Sequence, residues 1–231
     1  MAQVAYNNVG TGYTGTGNPT PAYPTGLVSG YLILLDVGVG DITNVPTTPT
    51  GFTLLYGPDA MTYSTGFPRF WIYGKISDGT ESGNLTVTVA GTAEKVARLY
   101  SFSNNAASAY NESGGHGAGA ANPVPMQAVT TSINEGLAVS LVRILNATET
   151  PGSATGETGG DWTEAVAEFA GTSIQIQLQI ATMATAGTIT GGSVALSTSR
   201  YYSVRAFGIK PAVAGGADVR NHIIPAYIMM Q

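Results

Sequence analysis

Residues 49–91 read PTGFTLLYGPDAMTYSTGFPRFWIYGKISDGTESGNLTVTVAG, and their pattern decides the fold class. The aromatic run Phe67 to Ile76 leads into Ser77-Asp78-Gly79-Thr80-Glu81-Ser82-Gly83-Asn84 and then Leu85-Thr86-Val87-Thr88-Val89. In the last segment aliphatic residues alternate with threonine, the period of two that marks a strand with one face in a core and the other wet. Two such runs joined by a loop of Gly, Asp, Asn and Ser predict an antiparallel hairpin.

On either side the same kind of element recurs. Leu27 to Val37 is nearly continuous in apolar residues, as expected of a strand buried on both faces. Phe52 to Tyr56 is a short strand after a Pro-rich turn, and Lys95 to Phe102 alternates with its start placed near the surface. Ser103 to Asn122 reads as a polar loop of small residues, long enough to mark a binding loop, a contact surface or a disordered segment. Glu135 to Leu145 is strongly apolar, and Asp161 to Phe169 reads as strand despite a helix-like composition. Ile174 to Ile180 sets four aliphatics on one face and three glutamines on the other, and Ala195 to Lys210 closes the series before Pro211. Roughly eight to ten strands without a helix predict an all-β protein, a two-sheet antiparallel β-sandwich of jelly-roll or Greek-key style. Residues 27–211 form the sandwich in this reading, 1–26 an extended N-terminal arm or loop, and 212–231 a C-terminal arm.

Composition narrows the task. Only 10% of the residues are charged, so solubility rests on Thr, Ser, Asn, Gln and 31 glycines. A net charge of −5 argues against a nucleic-acid partner, since phosphate binding needs clustered Lys and Arg. The chain has no cysteine, which excludes disulfides, zinc thiolates and a Cys nucleophile. The N-terminal residues carry neither a basic nor an apolar signal region, and no apolar run spans a bilayer, so synthesis in the cytoplasm without membrane insertion is expected.

Several motifs fall in one order: Gly40-Asp41 ending an apolar strand, the turn Pro49-Thr50-Gly51-Phe52, an aromatic strand, Asp78-Gly79-Thr80-Glu81 leading into a Thr/Val strand, and a closing strand before Lys210-Pro211. Over residues 27–211 this order resembles small β-sandwich structural proteins of tailed-phage virions. Phe52 stands where that pattern usually has tryptophan. The resemblance implies a non-enzymatic virion component, a head-decoration or tail/fibre-associated protein. It also implies other virion proteins as partners and carries no catalytic residue; arms that add strands to a neighbour predict a symmetric homo-oligomer, a trimer first.

The residues themselves name no catalytic, cofactor or metal site. Asp36, Asp41, Asp78 and Glu81 have no calcium-loop spacing and read as turn chemistry. His116 and His222 lack a G-x-S-x-G partner motif. Tyr56, Trp71 and Tyr73 read as core or subunit-contact residues rather than a sugar-stacking platform, which leaves a host-glycan adhesin as the alternative function. The candidate interaction residues are Tyr13, His116 and, in the apolar tail, Ile223, Ile224, Tyr227, Ile228 and Met229.

Overall fold

The computed structural model describes residues 2–61, 68–107, 112, 114–145, 149–170 and 173–212. Among them no helix occurs, and the strands are β1 (Ala5–Val9), β2 (Tyr13–Gly15), β3 (Leu32–Val39), β4 (Thr53–Ala60), β5 (Arg69–Ile76), β6 (Lys95–Ser103), β7 (His116–Ala121), β8 (Val124–Pro125), β9 (Val129–Thr131), β10 (Gly136–Leu145), β11 (Thr155–Thr158), β12 (Thr163–Ala170), β13 (Ile174–Met183), β14 (Gly187–Val194) and β15 (Arg200–Ile209). The all-β antiparallel sandwich expected from the pattern is the observed class.

One sheet runs β1-β6-β3-β5-β4, with β2 also on β6, and a second runs β12-β13-β10-β15-β7. A smaller third sheet has the order β11-β14-β8, with β9 also on β14.

Alternation along two strands fixes the layering. On β3, Leu32 and Leu34 join Leu137, Val139 and Leu141 of β10 in a core between the first two sheets, while Ile33, Leu35 and Val37 face an outer cluster with Trp71, Tyr73 and Val87. On β10, Ala138, Val142 and Ile144 face the other way, against Val124, Val129, Ile189 and Val194 of the third sheet. Both strands are therefore largely apolar on both faces, which is why they read as nearly continuous hydrophobic runs. Each such side chain contributes roughly 1.5–3 kcal/mol by leaving water.

The hairpin expected at 67–89 does not form. β5 pairs with β3 and β4, and Leu85 to Val89 lies as an extended segment over the outer face of the first sheet. Its backbone bonds go elsewhere: Leu85 N–H to Pro21 O at 2.9 Å, Val87 N–H to Pro19 O at 2.8 Å, and Thr47 N–H to Thr88 O at 2.9 Å. The alternation was a true sign of one buried face, because Val87 and Val89 are buried and Thr86 and Thr88 exposed. Burial period does not name the pairing strand.

Residues 1–26, expected as an arm, lie against their own chain where described. β1 pairs with Tyr100 to Ser103 and β2 with Lys95 to Ala97. Val4 is buried in the inter-sheet core, and its N–H donates to Glu135 O at 2.9 Å. Asn104 Nδ2 donates to Gln3 O at 2.9 Å, and Ala212 N–H donates to Asn104 O at 2.6 Å, so both described ends of the chain converge on one residue. The stretch 103–122, expected as a loop, contains β7, the last strand of the second sheet. Residues 213–231, with Ile223, Ile224, Tyr227, Ile228 and Met229, lie outside the described residues.

The glutamine face of β13 is buried, not wet. Gln175 Nε2 donates to Glu149 O at 2.5 Å, Gln177 Nε2 to Pro151 O at 2.6 Å and Gln179 Nε2 to Gly152 O at 2.9 Å, while Ala154 N–H donates to Gln179 Oε1 at 2.9 Å. Residues 149–154 thus form a strap over the strand, its backbone groups satisfied by amide side chains as burial requires.

Candidate functional site

Between the first two sheets a line of charge crosses the apolar core. Asp36 on β3 faces the second sheet because it shares the parity of Leu32 and Leu34, and Arg143 on β10 faces the first because it shares that of Leu141. Arg143 Nη2 lies 2.7 Å from Asp36 Oδ1 and Nε 3.2 Å from Oδ2, a two-pronged pair with both side chains fully buried. Nη1 reaches Asp59 Oδ2 of β4 at 3.4 Å. Asp59 in turn accepts from Arg205 Nε of β15 at 3.0 Å and is bonded a second time by Arg205 Nη2. Arg143 lies over the Phe70 ring at 4.8 Å and Arg205 over Tyr56 at 4.9 Å, so the guanidinium faces rest on aromatics.

The electrostatics differ along the seam. Burial raises the Asp36 carboxyl above its ordinary value, against the pull of the Arg143 guanidinium. At Asp59 burial also works upward, but the Arg205 hydrogen bond and the two guanidinium charges win and hold it below the usual carboxylate value. The pair with Asp36 outweighs desolvation at Arg143 and raises its pKa, so the guanidinium stays charged.

The seam ends at His116, which is exposed at the start of β7 and shares a 3.1 Å hydrogen bond between Nε2 and Ser203 Oγ. Burial lowers the imidazole pKa, Asp59 opposes this, and the two arginines add to the fall. A base beside a hydroxyl suggests nucleophilic chemistry. Ser203, however, is 0% exposed in the middle of the second sheet, where no substrate carbonyl can reach it. The seam's chemistry is cohesion, joining β3 and β4 to β10 and β15.

The other residues singled out from the sequence fall elsewhere. Tyr13 sits half-buried on β2, opposite Ala97, with its phenol folded back over Gly15 and Gly17. Trp71 and Tyr73 are buried in the outer cluster, as expected of core residues, and Tyr56 is half-buried, its ring tilted against Phe207 and its hydroxyl donating to Glu112 O at 3.1 Å. Asp41 accepts from Thr43 N–H and Asn44 N–H, and Asp78 from Thr80 N–H, each holding its own turn. Glu81 bonds Lys75 at 2.8 Å and Ser77 at 2.6 Å; burial opposes these bonds, but they bring its pKa down to about 2.

Lys95, expected near the surface, is fully buried. Its ammonium donates to Thr16 O and Gly91 O at 2.7 Å and to Ala93 O at 3.3 Å. A cavity of about 330 Å³ opens at the far end of the sandwich, lined by Gly40, Pro68, Glu94, Leu145, Ser173 and Ile174, with Glu94 accepting from Ser173 N–H at 2.9 Å.

The seam residues Asp36, Asp59, Arg143 and Arg205 were not singled out as a group from the sequence. Their signal is there, however: Asp36, Arg143 and Arg205 each interrupt an apolar run in a chain only 10% charged. No protein-family model, curated protein or solved structure matches the chain.

Proposed function

We propose that the chain is a non-enzymatic structural subunit acting through protein–protein contacts, carried on a tailed-phage virion as a head-decoration or tail/fibre-associated protein. The observation that carries this reading is the placement of charge. Of nine basic and fourteen acidic residues, Asp36, Asp59, Lys95, Glu112, Arg143 and Glu149 are buried. A chain already poor in charge thus draws six of its twenty-three charged residues inward, and of those described only Asp78 and Asp161 are exposed, which leaves a surface mostly of neutral polar and small residues. Surfaces of this kind meet a protein partner without stranding desolvated charges, and interface centres are depleted of Lys, Asp and Glu for that reason. Tyr56, Trp71 and Tyr73, the aromatics a glycan platform would use, lie in the core or against Phe207, which weighs against the adhesin alternative.

In this reading the chain self-associates, and residues 212–231 anchor it to other virion proteins. The test is incorporation into tailed particles assembled in cells that make the full chain or a form lacking 212–231. The full chain is expected in purified particles, and the shortened form is expected to fold but stay out of them. Unchanged incorporation of the shortened form overturns the anchor, and absence of the full chain from particles overturns the reading.

A further inference from the structure

Each of the two main sheets ends in two edge strands, and the four edges are not alike. β1 carries a register shift between Tyr6 and Asn8. β4 carries two, between Leu54 and Tyr56 and between Tyr56 and Asp59, with Pro58 inside the second. β12 is shifted between Glu164 and Val166 and again between Val166 and Phe169. Bulges, prolines and charges are the devices by which sheet edges avoid pairing with other chains. β7 has none of them. His116 to Ala121 runs in unbroken register against Arg205 to Arg200, with no charged residue and no side chain larger than alanine after His116.

β7 is also held ready from behind. A Cβ on Gly117 would meet Gln127 Nε2 at 2.2 Å, and one on Gly119 would meet the Tyr202 ring at 3.5 Å, so the strand packs closely on the side chains of Gln127 and Tyr202. Ala206 N–H donates to Gly115 O at 3.0 Å. Residues 115, 117 and 119 therefore turn their backbone groups toward β15, and His116, Ala118 and Ala120 turn theirs outward. Among the described residues no strand pairs with that outer side, and His116 and Ala120 are exposed.

We propose that β7 is a docking strand for a second copy of this chain, pairing antiparallel with its counterpart about a twofold axis so that the two central sheets become one. The occupant follows from charge and size. Self-pairing sets like against like, which a charged strand resists and an uncharged Gly/Ala strand does not. A register centred on Ala118 sets His116 opposite Ala120 of the second copy, a bulky ring against a methyl group. Such a contact gives an even number of copies rather than the trimer expected from the sequence. The inference rests on the assembly reading and names its self-contact.

The test is the mass of the full chain in solution by light scattering across a concentration series, for the wild type, Ala118→Pro and Ala120→Lys. Proline at 118 removes an outward N–H and leaves the ladder to β15 intact. Lysine at 120 adds a flexible cation to the edge and serves if the proline variant fails to fold. The wild type is expected to dimerise, and each folded variant to raise the dissociation constant at least about tenfold with unchanged far-ultraviolet dichroism. A monomeric wild type overturns the inference whatever its incorporation into particles shows. An oligomer untouched by both substitutions overturns it while leaving the assembly reading in place, and its dissolution on removing 212–231 would assign the contact to the tail.

Discussion

Arg143 holds a full charge away from water, and the molecule tolerates this because Asp36 takes two of its N–H groups, Asp59 a third and the Phe70 ring its face. A buried pair adds little net stability, but breaking one is expensive because the survivor stays desolvated. Arg143→Met leaves Asp36 without a counter-charge in the core and is expected to cost about 3–5 kcal/mol in urea unfolding. Asp36→Leu combined with Arg143→Met should recover most of that loss, since Asp59 keeps Arg205. A single-variant cost under about 1 kcal/mol would mean that water reaches the seam. The single residues were visible in the sequence as charges inside apolar runs. Their mutual contact was not, because Asp36 and Arg143 are 107 positions apart and only the stacking of two sheets joins them.

At the level of elements, Gln175, Gln177 and Gln179 replace solvent with the backbone of residues 149–154. Alternation along Ile174 to Ile180 told correctly that two faces differ, but hydropathy cannot distinguish an amide facing water from one facing a strap. The same limit applies at Leu85 to Val89, where the buried face was legible and the bonding partners Pro19, Pro21 and Thr47 were not. Gln179→Leu orphans the buried Ala154 N–H and takes one of two amide donors from the Gly152 carbonyl. It is expected to cost about 1–3 kcal/mol and to speed hydrogen exchange at Ala154 while β13 stays protected. Exchange at Ala154 unchanged from the wild type would show that the glutamines do not hold the strap.

For the whole molecule, the two central strands β3 and β10 each serve two cores, and the N-terminal residues tie those layers together rather than reaching outward. Fold class was legible because a buried strand must be apolar wherever it sits. The place of residues 1–26 was not, since a run of Gly, Thr and Tyr carries no hydrophobic period, and its partners β6, Gly83 to Val87 and Glu135 lie far off in the chain. Removing residues 1–17 takes away β1, β2, the Val4 side chain and the Thr16 carbonyl that faces Lys95. Melting temperature is expected to fall by more than about 10 °C in calorimetry. An unchanged melting temperature would restore the arm. The meeting of Gln3 and Ala212 at Asn104 has a mechanical meaning as well. Tension at either point is met by one hydrogen bond to Asn104, and the residue next to Gln3 is Val4, buried between the stacked sheets. A load on the described N-terminal end therefore passes into the inter-sheet core as soon as that single bond gives way.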